Sequence, residues 1–402
     1  MDKIILKNGM TFLYKKNTGN ITSLCIGFNA GALEENEFSF GTAHAVEHMV
    51  SKGTLKRSEQ EINNLADSIF GFENAMTNYP YVVYYGSLLK EDFEKALDFY
   101  SDMLINPAFN EQAFKEEMEI ILEELKEWKE DNYQYCEDTL LKNVFKKQRI
   151  KELIIGNEKS VKNIKLIEVK EFYYKYYTPK NCVISVVSSI EIDVIESLIE
   201  KYFKDFKREF NDLQKVNYEK TNSNKYINYK KGIEGAKILY SCAIEDLNKK
   251  EIEALKIFNE EFGCGTSSML FNEIRTKRSL AYDVGSLVKN ERGIKLFNFY
   301  VSTSKDKVDV VLKTLEDLIE DAKNINGYFT QDKIESIVKN IKLKVGIRHE
   351  SSIRLAMDMT VYELMYKSNI DNEFEYIKKI NEQYIKGVIS KVLEKRNIQI
   401  LK

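Results

Sequence analysis

Apolar residues along the chain recur with two periods, and the switching between them lays out the elements. Ile4-Ile5-Leu6 and Thr11-Phe12-Leu13-Tyr14 flank Asn8-Gly9, which predicts a hairpin over 3–16 with a type I′ turn. A strand follows through Ile21–Phe28 and ends near Gly31. The spacing predicts a helix from Thr42 to Ser51, stopped by Lys52-Gly53-Thr54, and a shorter one over Ser58–Ser68. Aromatic and β-branched residues at 79–88 and 181–189 predict strands, and helical patterns cover 91–105 and 110–146. The stretch 204–226 loses its periodicity and ends in a polar Thr-Asn-Ser-Asn run, which sets a linker at 206–226. Beyond it the pattern predicts a strand over 236–243, a helix over 249–261, a Gly-Cys-Gly-Thr-Ser-Ser turn leading to another helix, strands across 280–304, and amphipathic helices to the C-terminus. The halves 1–205 and 227–402 both place strands before and between helices and are similar in length. That similarity predicts a duplicated α+β domain.

Composition narrows this picture. A chain of 402 residues exceeds what one hydrophobic core usually organises. Its 60 basic and 63 acidic side chains are interleaved and nearly cancel, so no basic stripe points to nucleic acid as a partner. Five scattered cysteines without a C-x-x-C pair argue against a disulfide framework or a thiolate zinc site, and read as reduced, mostly buried thiols. The N-terminus lacks an apolar signal core, and no apolar run reaches the ~18 residues of a membrane span. The expectation is a cytoplasmic protein with no membrane partner.

The chemistry concentrates in one place. Of three histidines, two lie in His44-Ala45-Val46-Glu47-His48. Positions i and i+4 of a helix share a face, so both imidazoles can reach one metal ion, and Glu47 lies beside them as a candidate general base. This is the inverted order His-x-x-Glu-His. The same five residues would also suit a polar network on an ordinary helix, and a catalytic zinc needs a third protein ligand. His349, at a predicted helix end, matches no motif and reads as exposed.

The run from Phe40-Gly41-Thr42-Ala43 through the motif to Met49, with Lys52-Gly53-Thr54 after it, closely resembles the signature of the insulinase/pitrilysin family, which includes the mitochondrial processing peptidases. In that family the third ligand is a glutamate 76 residues after the second histidine, and that position is Glu124 here. The family's further glutamate, seven residues earlier, matches Glu117. Seven residues is about two helical turns, so Glu117 shares Glu124's face and can support the site from behind. Asn110 suits the N-cap of this helix, with Phe114, Met118, Ile121, Leu125 and Trp128 as its apolar stripe. Glu116, Glu119, Glu123 and Glu127 read as its solvated face.

In the second half, Gly263–Phe271 and Ile274–Tyr282 resemble the family segment that sends an arginine and a tyrosine to the active site, which gives Arg275 and Tyr282. Glu73-Asn74-Ala75-Met76-Thr77 resembles the strand on which the family binds peptide backbone, which gives Asn74, Ala75 and Met76 as substrate contacts. The resemblance implies two similar α/β-sandwich domains, each a mixed, mainly antiparallel sheet packed with helices, arranged as a clam shell. It also implies one Zn²⁺ per chain on His44, His48 and Glu124, with Glu47, Arg275 and Tyr282 catalytic. The expected activity is endopeptidase cleavage of short or unfolded peptides, with maturation of a precursor peptide as one setting for it. A non-catalytic peptide-binding or scaffold subunit of a heterodimer is the alternative. A homodimer is expected, with a heterodimer beside a homologous subunit as the other arrangement. Ala45-Val46 stand where the family has Phe-Leu, Ser188-Ser189 replace a usual glycine, and Lys147–Glu152 lacks a common His-Pro. None of these departures falls on a ligand, so they bear on substrate choice.

Overall fold

The computed structural model describes residues 1–402 except 214, 369, 371 and 372. Its strands in chain order are β1 (Asp2–Ile5), β2 (Thr11–Lys16), β3 (Ile21–Phe28), β4 (Phe70–Thr77), β5 (Val82–Leu89), β6 (Cys182–Ser188), β7 (Lys225–Asn228), β8 (Ala236–Ala243), β9 (Asp283–Glu291), β10 (Ile294–Thr303) and β11 (Asn397–Leu401). The helices are α1 (Thr42–Val50), α2 (Glu59–Ile69), α3 (Phe93–Ile105), α4 (Glu111–Trp128), α5 (Asn132–Val144), α6 (Glu158–Asn163), α7 (Leu166–Tyr176), α8 (Ile192–Tyr202), α9 (Lys249–Gly263), α10 (Val308–Lys323), α11 (Gln331–His349), α12 (Ser352–Tyr366) and α13 (Glu382–Leu393).

The chain forms two compact units. The first comprises Met1–Lys126, Glu152–Lys215 and Gly346–Asp371; the second takes Glu127–Lys151, Val216–Val345 and Asn372–Lys402. The first contains a six-stranded sheet in the order β1-β2-β6-β3-β5-β4, the second a five-stranded sheet in the order β7-β11-β8-β10-β9. In the first, β2 and β6 run parallel and every other neighbouring pair is antiparallel. In the second, β7 and β11 are the parallel pair. Starting from β2 in one sheet and β7 in the other, order and strand sense match step for step. The duplication expected from the sequence is therefore present in the topology.

Both faces of each sheet are covered, which explains why the central strands read as apolar runs rather than alternating ones. All seven residues of β6 are buried. In β5, Val83 and Tyr85 join the core formed with Met357, Met359 and Leu364 of α12. In the second unit Ile238, Tyr240, Phe297 and Phe299 pack with Phe258 and Phe262 of α9, Leu315 of α10 and Ile389 of α13. The opposite face meets Cys136 and Leu140 of α5 against Leu239 and Leu401. Each unit thus includes a helix encoded in the other half of the sequence: α12 in the first, α5 in the second.

Several local expectations change. The helix expected over 110–146 is two, because the Asp131 carboxylate accepts from the Tyr133 and Gln134 N–H groups at 2.8 and 2.9 Å and starts a new helix. In the first hairpin only Gly9 is left-handed (φ 92°), and its N–H donates to Leu6 O at 2.9 Å. The turn is therefore not type I′, which needs two positive φ angles. The chain closes on strand β11, inserted between β7 and β8, where helices alone were expected. A stretch of five residues is too short for periodicity to separate strand from helix. His349 does lie at a helix end, but its side chain is only 17% exposed, with Nε2 2.8 Å from the Asp358 carboxylate.

Candidate metal centre

The helix that carries the motif, α1, is short and anchored at both ends. Ala43, Ala45, Val46, Met49 and Val50 are fully buried, so the Ala45-Val46 pair supplies core packing. Gly41 precedes the helix with φ 99°, and a Cβ there would lie 2.5 Å from the Ile155 carbonyl oxygen, so the position requires glycine. Glycine offers no side-chain cap. The fully buried Glu35 serves instead: it accepts from Gly41 N at 3.1 Å and from Ala43 N at 2.8 Å, placing a carboxylate at the positive end of the helix.

His44 and His48 project from one face one turn apart, with ring centroids 4.6 Å from each other. Helix α4 brings Glu124 to them. Its Oε2 is 3.8 Å from His44 Nε2 and 3.7 Å from His48 Nε2. One donor atom from each of the three residues lies within 4.8 Å of the others. Donors around a tetrahedral zinc at ~2.0–2.1 Å stand roughly 3.3 Å apart, and the two Glu124 distances, 3.8 and 3.7 Å, are close to that spacing. Burial, with His48 beside it, holds the His44 ring down to about 3, so it is neutral and has a lone pair to give. Two imidazole nitrogens and one carboxylate oxygen are a donor set that zinc accepts, with a position left over. The residues present fit the ion.

Behind the triangle, His48 Nδ1 lies 2.8 Å from Glu117 Oε2. Glu117 is 3% exposed, and its other oxygen lies 2.7 Å from Lys52 Nζ. Burial opposes the Glu117 charge, but hydrogen bonds from His48 and Lys52 outweigh it and hold the carboxyl below its ordinary range. Along α4, Asn110 accepts from Gln112 N and Ala113 N as its N-cap, Met118, Ile121 and Leu125 are buried, and Glu116, Glu119, Glu123 and Glu127 face outward.

Glu47 faces strand β4. Its Oε2 accepts from the Thr77 hydroxyl at 2.5 Å. Burial raises the carboxyl above its ordinary value, while the Thr77 hydrogen bond pulls the other way. Strand β4 is the edge of its sheet and, among the described residues, pairs only with β5. Asn74, Ala75 and Met76 lie on this edge, with the Ala75 N–H donating to Asn74 Oδ1 at 2.8 Å. By the two-residue period of a strand, Thr77, Ala75 and Glu73 share the face toward Glu47.

Arg275 and Tyr282 belong to the second unit. Arg275 lies exposed on a wide helical turn over Phe271–Thr276, its guanidinium 4.7 Å from the Phe271 ring centre. Tyr282, 61% exposed, directly precedes β9, the edge of the second sheet.

Sequence reasoning did not find Lys52, Thr77 or Glu35 as contributors. Lys52 read as part of a helix stop and Thr77 as part of a strand. Only the fold brings each of them, over 30 residues in the case of Thr77 and Glu47, to the group it holds.

A duplicated α/β fold with an inverted His-x-x-Glu-His helix and a glutamate on a second helix defines an architecture of the inverted-motif metallopeptidase class. The chain belongs to the insulinase family, peptidase family M16: residues 11–158 match the model "Insulinase (Peptidase family M16)" and 163–341 the model "Peptidase M16 inactive domain". It is 28% identical over 367 residues to an "Uncharacterized zinc protease" of Rickettsia felis, covering 90% of this chain and 84% of that protein. It is 32% identical over 200 residues to the mitochondrial-processing peptidase subunit beta of Saccharomyces cerevisiae, covering 49% of this chain and 43% of that one. A protease from Helicobacter pylori shares the fold, with a TM-score of 0.89 at 20% identity over 100% of this chain and 99% of that one.

Proposed function

We propose that this chain is a zinc-dependent endopeptidase that cleaves extended peptides, with His44, His48 and Glu124 holding one Zn²⁺. The observation that carries this reading is the convergence of those three donor atoms within 4.8 Å, beside a glutamate that is not part of the triangle. Bound zinc would lower the pKa of a water to ~7 and polarise the scissile carbonyl. Glu47 takes the proton of the attacking water and later delivers it to the leaving nitrogen. Thr77 occupies its Oε2, which leaves Oε1 to accept the proton. The free edge of β4 receives substrate as an added strand through Asn74, Ala75 and Met76, which selects for unfolded or extended peptides. By the family resemblance, Arg275 would hold a substrate carbonyl and Tyr282 would donate to the oxyanion. The names of the zinc-protease relatives agree with this reading.

The test is cleavage of a mixed library of unstructured peptides, read by mass spectrometry with and without a chelator. Wild type is expected to cut and the chelator to stop it. Glu47→Gln should keep its zinc yet lose roughly 10²-fold or more in rate. Tyr282→Phe in the same assay should cost about 10²-fold in kcat if its hydroxyl serves the oxyanion. A zinc-loaded wild type that cuts nothing would favour the non-catalytic peptide-binding role, and equal cutting by Glu47→Gln would remove Glu47 as the base.

A further inference from the structure

One cation stands behind the metal triangle without touching it. Lys52 follows the end of α1, and its Nζ lies 2.7 Å from Glu117 Oε1 and 2.8 Å from Glu59 Oε1 at the start of α2. Glu117 therefore bridges two donors, with one oxygen on Lys52 and the other 2.8 Å from His48 Nδ1. We propose that Lys52 is a positioning residue for zinc: by holding Glu117 as an oriented carboxylate, it fixes His48 in the form with hydrogen on Nδ1 and the lone pair of Nε2 facing Glu124. The inference rests on the reading of His44, His48 and Glu124 as zinc ligands.

The argument is one of acceptors and donors. An ionised carboxylate accepts only, so the 2.8 Å contact to Glu117 requires a hydrogen on Nδ1. A neutral imidazole has one N–H, which leaves Nε2 as the acceptor, 3.7 Å from Glu124 Oε2. A carboxyl in a site this closed carries a large penalty for its charge unless a cation shares it, and Lys52 is the cation present. Without Lys52, Glu117 keeps only His48 as a partner among the described residues and is free to rotate away from Nδ1. Once Glu117 has rotated, Nδ1 has no fixed acceptor and the single hydrogen of a neutral His48 is free to sit on Nε2, toward the zinc position. Glu59 shares Lys52 with Glu117. Partners behind a metal-binding histidine typically change affinity 10–100-fold when removed. Lys52 acts one step further back, so the lower end of that range is expected.

The experiment compares full-length wild type, Lys52→Met and Lys52→Arg by chelator-competition titration with Zn²⁺ and by ¹⁵N NMR of histidine-labelled, zinc-free protein at alkaline pH, where His48 carries a single hydrogen. With three histidines in the chain, the spectrum is assignable. Wild type should show His48 with hydrogen on Nδ1. Lys52→Met should bind zinc about 10-fold more weakly and populate the Nε2–H form, while Lys52→Arg, which keeps a cation on Glu117, recovers both. A salt bridge of purely structural value predicts lower thermal stability with unchanged zinc affinity and unchanged tautomer, and that result overturns the proposal. So does recovery of stability but not affinity in Lys52→Arg. Failure of wild type itself to bind zinc sinks the reading of the ligand triangle and the role of Lys52 with it.

Discussion

Glu73 carries a half-buried carboxyl on the face of β4 that also presents Thr77 to Glu47, and its only hydrogen bond among the described residues is a long one from the Tyr100 hydroxyl, 3.5 Å. Burial pushes it from its ordinary 4.5 up to about 7, and the nearby Glu47 charge adds to this. For an acid whose value rises on folding, the folded state holds the proton more tightly than the unfolded one. The contribution of Glu73 to stability is therefore greatest below about pH 4.5 and declines as pH rises through about 7. Glu73→Gln should flatten that decline, so that its melting temperature gains on wild type between pH 4.5 and pH 8. Parallel curves for the two proteins across this range would show that Glu73 is not strained by its surroundings. His44, His48 and Glu47 stood out in the sequence because scarce residues stood at helical spacing. Glu124 was legible only through family resemblance, since an acidic helix face looks the same whether or not one carboxylate turns inward. Glu117 stands out in the structure by burial, which the sequence does not display.

At the scale of elements, α1 is nine residues long, below the length at which a helix is stable by itself. It holds through the core beneath it and the Glu35 carboxylate at its N-terminus. Glu35→Ala should cost about 2 kcal/mol, the upper end for a lost cap, because Gly41 and Ala43 lose a buried acceptor. Glu35→Gln, which keeps an acceptor oxygen, should lose less. Urea unfolding of the zinc-free protein measures both, and a wild-type midpoint for Glu35→Ala would dismiss the capping role. Strands β6 and β8 and helix α1 were readable to within a residue or so because apolar runs and stop signals agree there. The division of 110–146 into α4 and α5 was not, since the apolar stripe continues across the break and only the Asp131 cap interrupts the backbone ladder.

The whole molecule is organised by an exchange. Helix α12 covers one face of the first sheet although it is encoded among the helices of the second half, and α5 does the reverse. Met357, Met359 and Leu364 alone bury three large side chains against β3, β5 and β6, each worth about 1.5–3 kcal/mol. That sum rivals the ~5–15 kcal/mol net stability of a typical domain. A fragment of residues 1–215 should therefore show no cooperative melting and should bind a hydrophobic dye, while the same fragment fused to 346–371 should melt cooperatively. Cooperative melting of 1–215 without the added helix would refute this. Sequence periodicity detects a helix and its apolar stripe but not which sheet that stripe will meet, so the exchange was invisible until the two sheets were in view.

The exchange also has a consequence for how the protein is made. At ~5–20 residues per second of synthesis, α12 leaves the ribosome roughly 7–27 s after residue 215. Throughout that interval the nascent first sheet has an uncovered apolar face and nothing of its own to close it. The first half cannot mature while the second is being translated, and completion of both halves waits on the last quarter of the chain. The order of the helices thus leaves that face without its cover until synthesis is nearly complete.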